Sequence, residues 1–590
     1  AGSAVVLAGA ARAGEIDDNP WAKGLLQSLA RAGAVQRFDL GPLGEADARA
    51  LLDGAPLDAA DALRRTGGNP LYLIELANAA QRGADSAGRS LDALVDQRLR
   101  ALSDGARELL AWAAAMGSEL RPDLMAAATG LPVAEVLQRL ERFERHGLVV
   151  PTGPGHFDFA HDLVRQVVYR ALSQPRRRAI HRQIAQVLIA ASADDPWLHG
   201  EIVRHAGLAG ETLAAARACL AAGEHCLRVF ANPQAAAVAD LGLAHVGDLA
   251  PGAERVRLEI GLLRLRVTAA AIPGARRLPA LADRIELAIE AAEALSLHSE
   301  AAAGWEILSF WQQQASDTGR TQHATLAAQR MTRHADGATH CLQLANSGRC
   351  LLEIEADPLR GRALLDEAAA LAGGLELKVM EIEWGRGLVA RADGDLDAAC
   401  AALGRAVALA RLAANHWREY ECMVWLATAE LENGRHAQVL RHVAEIVDAA
   451  ARMGEPQAPF AQVLGALARL REGDAGAEAS LEAGLVALRE RDDKAHLAYA
   501  LNEAAAWALM ANRRAVAAAC AEEALAAALA VRRATEVAVA TARLAAATGD
   551  ARRAAECLAT PPAGGHSARA SAALEAAARS DSTLAPTVAS

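Results

Sequence analysis

The sequence predicts a mainly α protein whose larger part is an α-solenoid, and three observations carry that prediction. Hydrophobic residues make up 52% of the 590 but aromatic residues only 3%. Alanine and leucine therefore supply the apolar surface, which favours packed helices over sheets. From about residue 175 to 560 the apolar residues form stripes at helical spacing, in pairs. Between paired stripes, turn residues recur at Asp357, Gly394, Gly434, Gly473, Asn512 and Gly549, with separations of 37 (394 − 357), 40, 39, 39 and 37 residues. Such a period means stacked helical hairpins, none of which buries its apolar face alone.

Ahead of the array, residues 1–89 predict the remnant of an α/β domain followed by a small helical lid. Ala4-Val5-Val6-Leu7-Ala8-Gly9 has the apolar run of a short covered strand. Arg12 follows its end, where α/β proteins place ligand-binding groups. Asn19 caps a helix through Ala32, with Pro20 at its first position. Val35 to Leu40 alternates as an edge strand does. Glu45–Leu52 and Leu57–Thr66 form short helices that lead to Thr66-Gly67-Gly68-Asn69-Pro70. There a glycine turn launches a further helix through a proline that needs no N–H partner.

Residues 90–174 predict helix, helix, helix and hairpin. Ser90 caps Leu91–Leu102, Asp104 begins a helix through Met116, and Pro122–Thr129 and Pro132–His146 follow. Residues 147–151 and 156–159 flank Thr152-Gly153-Pro154-Gly155, a turn sequence that marks a hairpin. The arrangement is that of a winged helix. Arg139, Arg142 and Arg145 lie on the helix before the wing, but Glu135, Glu141 and Glu144 share it. Its field is close to neutral, which argues against sequence-specific DNA contact there. Ala160-His161-Asp162-Leu163-Val164-Arg165 opens the next helix, so His161 and Asp162 stand where free N–H donors and the positive end of the helix dipole collect. Arg176, Arg177 and Arg178 in the following helix are expected on a solvated face.

Within residues 175–560 one unit illustrates the expected packing. Gly387 lets a partner helix approach, Gly394 turns the chain, and Leu396, Ala399, Leu403, Val407 and Ala410 form one stripe. The hairpins are similar to tetratricopeptide repeats with loops longer than the usual ~34-residue unit allows. Trp197, Trp305, Trp311, Trp384, Trp417, Trp425 and Trp507 are expected to pack in the core. Residues 561–590 break the array with Pro561-Pro562 and end in a low-complexity tail that includes a Ser/Ala helix.

Several classes are excluded or disfavoured. Net charge is −11, from 61 basic and 72 acidic residues mixed along the chain, which is no nucleic-acid footprint. The eight cysteines include no CxxC pair, so buried reduced thiols are expected rather than a metal site. No apolar run is long enough to span a membrane, and the expected location is cytoplasmic. The phosphate-binding pattern GxxxxGK[ST] is absent, and without it the chain is not expected to hydrolyse ATP alone. It begins with Ala, which predicts a piece of a longer protein.

Taken in order, Arg12, Gly68-Asn69-Pro70 and Ala160–Arg165 resemble three elements of the STAND class of signalling NTPases, especially the large ATP-binding LuxR-type regulators. The first resembles the sensor arginine that reads the terminal phosphate, the second the Gly-x-Pro turn beside the base, and the third the His-Asp or HDLVR switch element near the diphosphate. The resemblance implies that Arg12, Gly68, Asn69, Pro70, His161 and Asp162 bind ATP or ADP, with magnesium held by a half that this sequence does not contain. It further implies a nucleotide-dependent regulatory switch, controlling transcription, whose repeats sense an inducer or protein partner and which oligomerises on activation. The sequence departs from the LuxR-type layout in ending without a helix-turn-helix, which counts against direct DNA binding. The alternative expectation is a non-catalytic helical-repeat scaffold for protein–protein interaction.

Overall fold

The computed structural model describes residues 36, 38, 40–55, 57–66, 68–81, 99, 102–117, 119–153, 155–160, 162–192, 195, 197–270, 279–314, 317–454 and 457–579. The fold is mainly α with a repeat solenoid, and the described residues divide into two compact units, one up to Cys219 and one from Leu220. The predicted strand at 4–9, the helix at 19–32, Arg12 and His161 lie outside the described residues, as does nearly all of the helix predicted at 91–102.

In the first unit, α1 (Glu45–Leu51), α2 (Ala59–Thr66) and α3 (Pro70–Gln81) share a small core of Ala48, Leu52, Ala62, Leu73 and Leu76. The edge strand predicted at 35–40 is not borne out at its described positions. Gln36, Phe38 and Leu40 carry no strand structure, and Phe38 and Leu40 stand 73% and 93% exposed. Alternation alone does not make a strand, since its backbone groups need a ladder partner.

Next come α4 (Asp104–Met116), α5 (Pro122–Thr129) and α6 (Val133–Arg145), then antiparallel β1 (Val149–Gly153) and β2 (His156–Phe159). Ser103 caps α4 by accepting from the Ala106 N–H at 3.4 Å, and Gly130 ends α5 in the left-handed region. The register pairs Val149 with Phe159 and Pro151 with Phe157, with an irregularity between Pro151 and Gly153. The first strand therefore runs two residues beyond its predicted end. α7 (Asp162–Ala171), α8 (Gln174–Ala191) and α9 (Leu198–Ala209) follow.

The second unit takes up part of α10 (Thr212–Arg228) and then runs through α11 (Asn232–Gly247), α12 (Ala253–Ala269), α13 (Pro279–Ala294), α14 (His298–Gln314), α15 (Thr318–Met331), α16 (Gly337–Glu353), α17 (Pro358–Gly374), α18 (Met380–Asp393), α19 (Leu396–Leu412), α20 (His416–Glu432), α21 (His436–Arg452), α22 (Pro459–Arg471), α23 (Glu478–Glu490), α24 (Lys494–Met510), α25 (Arg514–Ala530), α26 (Ala534–Thr548), α27 (Ala551–Ala559) and α28 (Ala568–Arg579). Each even-numbered helix from α12 packs on the odd-numbered one after it, and α12 on α14, α16 on α18, α20 on α22, α22 on α24 and α24 on α26. The even-numbered helices form the inner layer.

The turns explain the period. Gly394, Gly434, Gly473, Asn512 and Gly549 all have positive φ, between 58° and 92°, the left-handed conformation that closes a helix. In several turns the next residue caps the following helix: Asp395, Asp474 and Asp550 each accept a backbone N–H two or three residues on. The residue equivalent to Gly394 in the preceding turn is Glu355 (φ 54°), not Asp357, which is the cap. Counted from Glu355 the first interval is 39 residues (394 − 355), in line with its neighbours. In the stripe, Ala399, Leu403, Val407 and Ala410 are buried, and a Cβ at Gly387 would lie 2.6 Å from Leu403, so the approach of α18 to α19 requires the glycine. The array also touches itself across long stretches of chain. The Thr318 hydroxyl donates to the Val531 carbonyl at 2.7 Å, and the Thr535 N–H donates to the Glu355 carboxylate at 2.7 Å.

Candidate inner-face ligand cavity

The expected nucleotide residues are only partly brought into view. Gly68 has φ +73°, and a Cβ there would lie 2.8 Å from the Leu43 carbonyl oxygen and 2.9 Å from Pro42. Its carbonyl accepts the Leu43 N–H at 2.8 Å. Local geometry thus demands glycine whatever else the turn does. We expect Gly68→Ala to loosen α1–α3, seen as faster hydrogen exchange in 45–81; an unchanged exchange pattern would contradict this.

Asn69 and Pro70 are exposed, and Pro70 opens α3. Asp162 opens α7. Around α6, Arg139 pairs with Glu135 and donates to the Gly105 carbonyl at 2.6 Å, so it is a packing residue. In the expected solvated arginine run, Arg176 pairs with Glu108, and Arg177 donates to the Tyr169 and Arg170 carbonyls at 3.0 and 2.8 Å.

The more developed site lies in the array. Inner helices α12, α14, α16, α18 and α20 enclose a cavity of about 310 Å³, within the range of small-molecule sites. Polar and aromatic side chains dominate its wall. Arg349 is 4% exposed, pairs with Glu353, donates to the Asn346 side-chain oxygen at 3.0 Å and lies 4.4 Å over the Trp384 ring. Its Nε and the indole N–H groups of Trp384 and Trp417 are buried without a partner, which is costly for donors in a low-dielectric interior. Arg418 pairs with Glu421 at 2.8 Å. Burial alone would lower its pKa, but Glu421, Glu381 and Glu353 outweigh that and raise it. Phe310 meets the Trp417 ring edge to face, 5.8 Å between centroids.

Two carboxylates are less well served. Glu306 accepts a hydrogen bond from the Asn346 amide at 2.8 Å, and burial raises its pKa despite that bond. Glu381 also lines the cavity, without a hydrogen bond or ion pair among the described residues. Deeper in the wall, Ser309 and Thr325 share a 2.7 Å hydroxyl contact, and Thr325 donates to the Cys350 sulfur at 3.3 Å. Burial raises the Cys350 thiol, so it is an inert wall group. No group of three or more metal-ligating side chains occurs among the described residues.

No protein-family model matches this chain, and no curated protein matches it. Among solved structures it is similar to three helical proteins. One is a STAND protein with a tetratricopeptide repeat sensor from Pyrococcus horikoshii, at 13% identity over 93% of this chain and 74% of that one, with a TM-score of 0.35. Another is a Rap protein complexed with competence and sporulation factor, at 12% identity over 57% and 99%, TM-score 0.38. A circular tandem repeat protein gives 14% identity over 79% and 98%, TM-score 0.13. At such TM-scores none of these likenesses bears on function.

Sequence reasoning missed the cavity because its groups come from five helices. A signal was present: Ser309, Gln312, Thr325, Gln343 and Arg349 are polar yet buried on helices whose other buried positions are mostly apolar. The expectation that the array's tryptophans pack in the core holds for Trp384, fully buried, and fails for Trp197, which is 71% exposed. No helix among the described residues is long and apolar enough to cross a membrane.

Proposed function

We propose that this chain is a regulatory protein whose repeat array senses a small ligand or a peptide segment in the inner cavity. The observation that carries the reading is the cavity itself, walled by consecutive inner helices and holding charged and donor groups that the protein leaves without full partners. A ligand touching α12, α14, α16, α18 and α20 together favours one relative placement of the hairpins over another. That difference in affinity is what shifts an equilibrium between states.

The test is hydrogen exchange across the array with and without the small-molecule fraction of the source cells. Slower exchange in 298–314, 337–353 and 416–432, abolished by the cavity-filling variant Gln313→Trp, is the expected result. Protection that survives Gln313→Trp would sink the reading in favour of a scaffold engaging partners elsewhere.

The nucleotide half of the proposal rests on the resemblance to STAND proteins. ATP or ADP would lie against Arg12, Gly68, Asn69, Pro70, His161 and Asp162, and the three-helix-and-hairpin module would be a winged helix that transmits its state to an output such as transcription. Pro70→Ala and His161→Ala in the full native protein are expected to weaken nucleotide binding. Unchanged nucleotide affinity in both would remove that half and leave the sensor array standing.

A further inference from the structure

We infer that the inner cavity is built for a small zwitterion, an amino acid or short peptide presenting both an ammonium and a carboxylate; this rests on the sensor reading above. The inference comes from sorting the charges of the wall by whether the protein already answers them. Arg349 is answered by Glu353, and Arg418 by Glu421. Glu306 has only the neutral Asn346 amide, and Glu381 and Arg264 have no hydrogen-bond or ion-pair partner among the described residues. What remains unanswered is therefore two carboxylates and one guanidinium around one enclosed space.

These groups are close enough to act on one another. Glu381 raises the Glu306 pKa and Arg264 lowers it, although burial is the larger influence. A cation near the carboxylates would relieve both the burial and the mutual repulsion. Phe310 and Trp417 line the same space and add aromatic surface that attracts an ammonium. Arg264 is exposed on the same wall, and its planar fork suits a carboxylate. A simple amine leaves Arg264 unused, and a simple anion meets two carboxylates. A zwitterion satisfies both ends, and a volume of about 310 Å³ takes an amino acid or a short peptide, not a folded partner.

The test is calorimetric titration of the whole chain with free amino acids and dipeptides, each beside its N-acetyl and C-amide forms. Free zwitterions are expected to bind, with acetylation and amidation each weakening binding about tenfold. Glu381→Gln should reproduce the loss caused by acetylation. In Arg264→Gln, acid and amide should bind alike. Both side chains lack partners among the described residues, so these variants are expected to fold normally, and the blocked ligands test the same point on the unaltered protein. Binding confined to free amino acids or to dipeptides names the source and supports the inference in either case. Blocked forms binding as tightly as free ones would overturn it while leaving a ligand cavity of other chemistry. No binding by any probe would also overturn it, and the exchange experiment with Gln313→Trp then decides separately whether the array senses anything here.

Discussion

Arg569→Met should lower the stability of the carboxy-terminal hairpins by about 3–5 kcal/mol, the cost of leaving buried charge uncompensated. Arg569 lies on α28 and reaches three glutamates on three inner helices: Glu432 at 3.5 Å, Glu503 at 2.8 Å and Glu536 at 2.6 Å. All four side chains are 15% exposed or less. Arg569 also lies 4.6 Å over the Tyr499 ring. Burial works against both signs of charge here, yet Arg569, Arg471 and Arg543 hold the Glu503 carboxyl at about 2. Glu503 was 4.5 before folding, so its contribution is present above that value and fades as pH falls toward 2. Hydrogen exchange in 494–510 and 534–548 reads the loss directly. Adding Glu503→Gln and Glu536→Gln to Arg569→Met should restore most of it, because the cost lies in the orphaned carboxylates. A loss under about 1 kcal/mol in the single variant would mean that these pairs behave like solvent-exposed ones.

A second large effect is expected on acidification of the first unit. Tyr169, His181, His205 and Arg204 form a buried chain. Arg204 donates to His205 Nε2 at 2.8 Å, which leaves the His205 proton on Nδ1, facing His181 Nδ1 at 2.8 Å; the His181 proton then sits on Nε2, 2.8 Å from the Tyr169 oxygen. Both rings are 1% exposed, and the chain closes only when both are neutral. Burial, with His205, Arg204 and Arg177 added, lowers His181 from 6.5 to about 3; burial also lowers His205, against the pull of Glu201. The unfolded chain therefore binds protons first. Stability is complete above 6.5 and is lost as pH falls from 6.5 toward 3, by up to ~1.4 kcal/mol per pH unit for each ring. Exchange in 174–209 should accelerate across that window, and His181→Phe should flatten the dependence. Parallel pH profiles for the two proteins would contradict the assignment.

How much of this was legible in the sequence depends on the reach of each interaction. The hairpin turns were readable because a left-handed residue followed by a capping Asp is a local event, as at Gly394-Asp395, Gly473-Asp474 and Gly549-Asp550. The first turn was misplaced onto Asp357 because Glu355 is not a residue type that announces a positive φ. Gly387 was readable from its place opposite a large stripe residue. In contrast, Arg349, Glu306, Glu381 and Trp417 meet only after several hairpins have stacked, and no spacing along the chain encodes that meeting. The turn at Gly68 was visible at once, but its reason, the Leu43 carbonyl 2.8 Å from where a Cβ would stand, was not. Arg12 and His161, on which the nucleotide expectation leans, lie outside the described residues.

The bonds from Thr318 to Val531 and from Thr535 to Glu355 span 213 and 180 residues, and they change what a repeat protein ordinarily tolerates. An array held only by adjacent contacts can gain or lose a unit and simply become longer or shorter. Here the removal of one hairpin between those partners would rotate and displace every later hairpin, carrying Val531 and Thr535 away from their counterparts. The number of repeats is therefore itself under structural constraint. Trimming from the carboxyl end should be milder than an excision from the middle that removes as many residues.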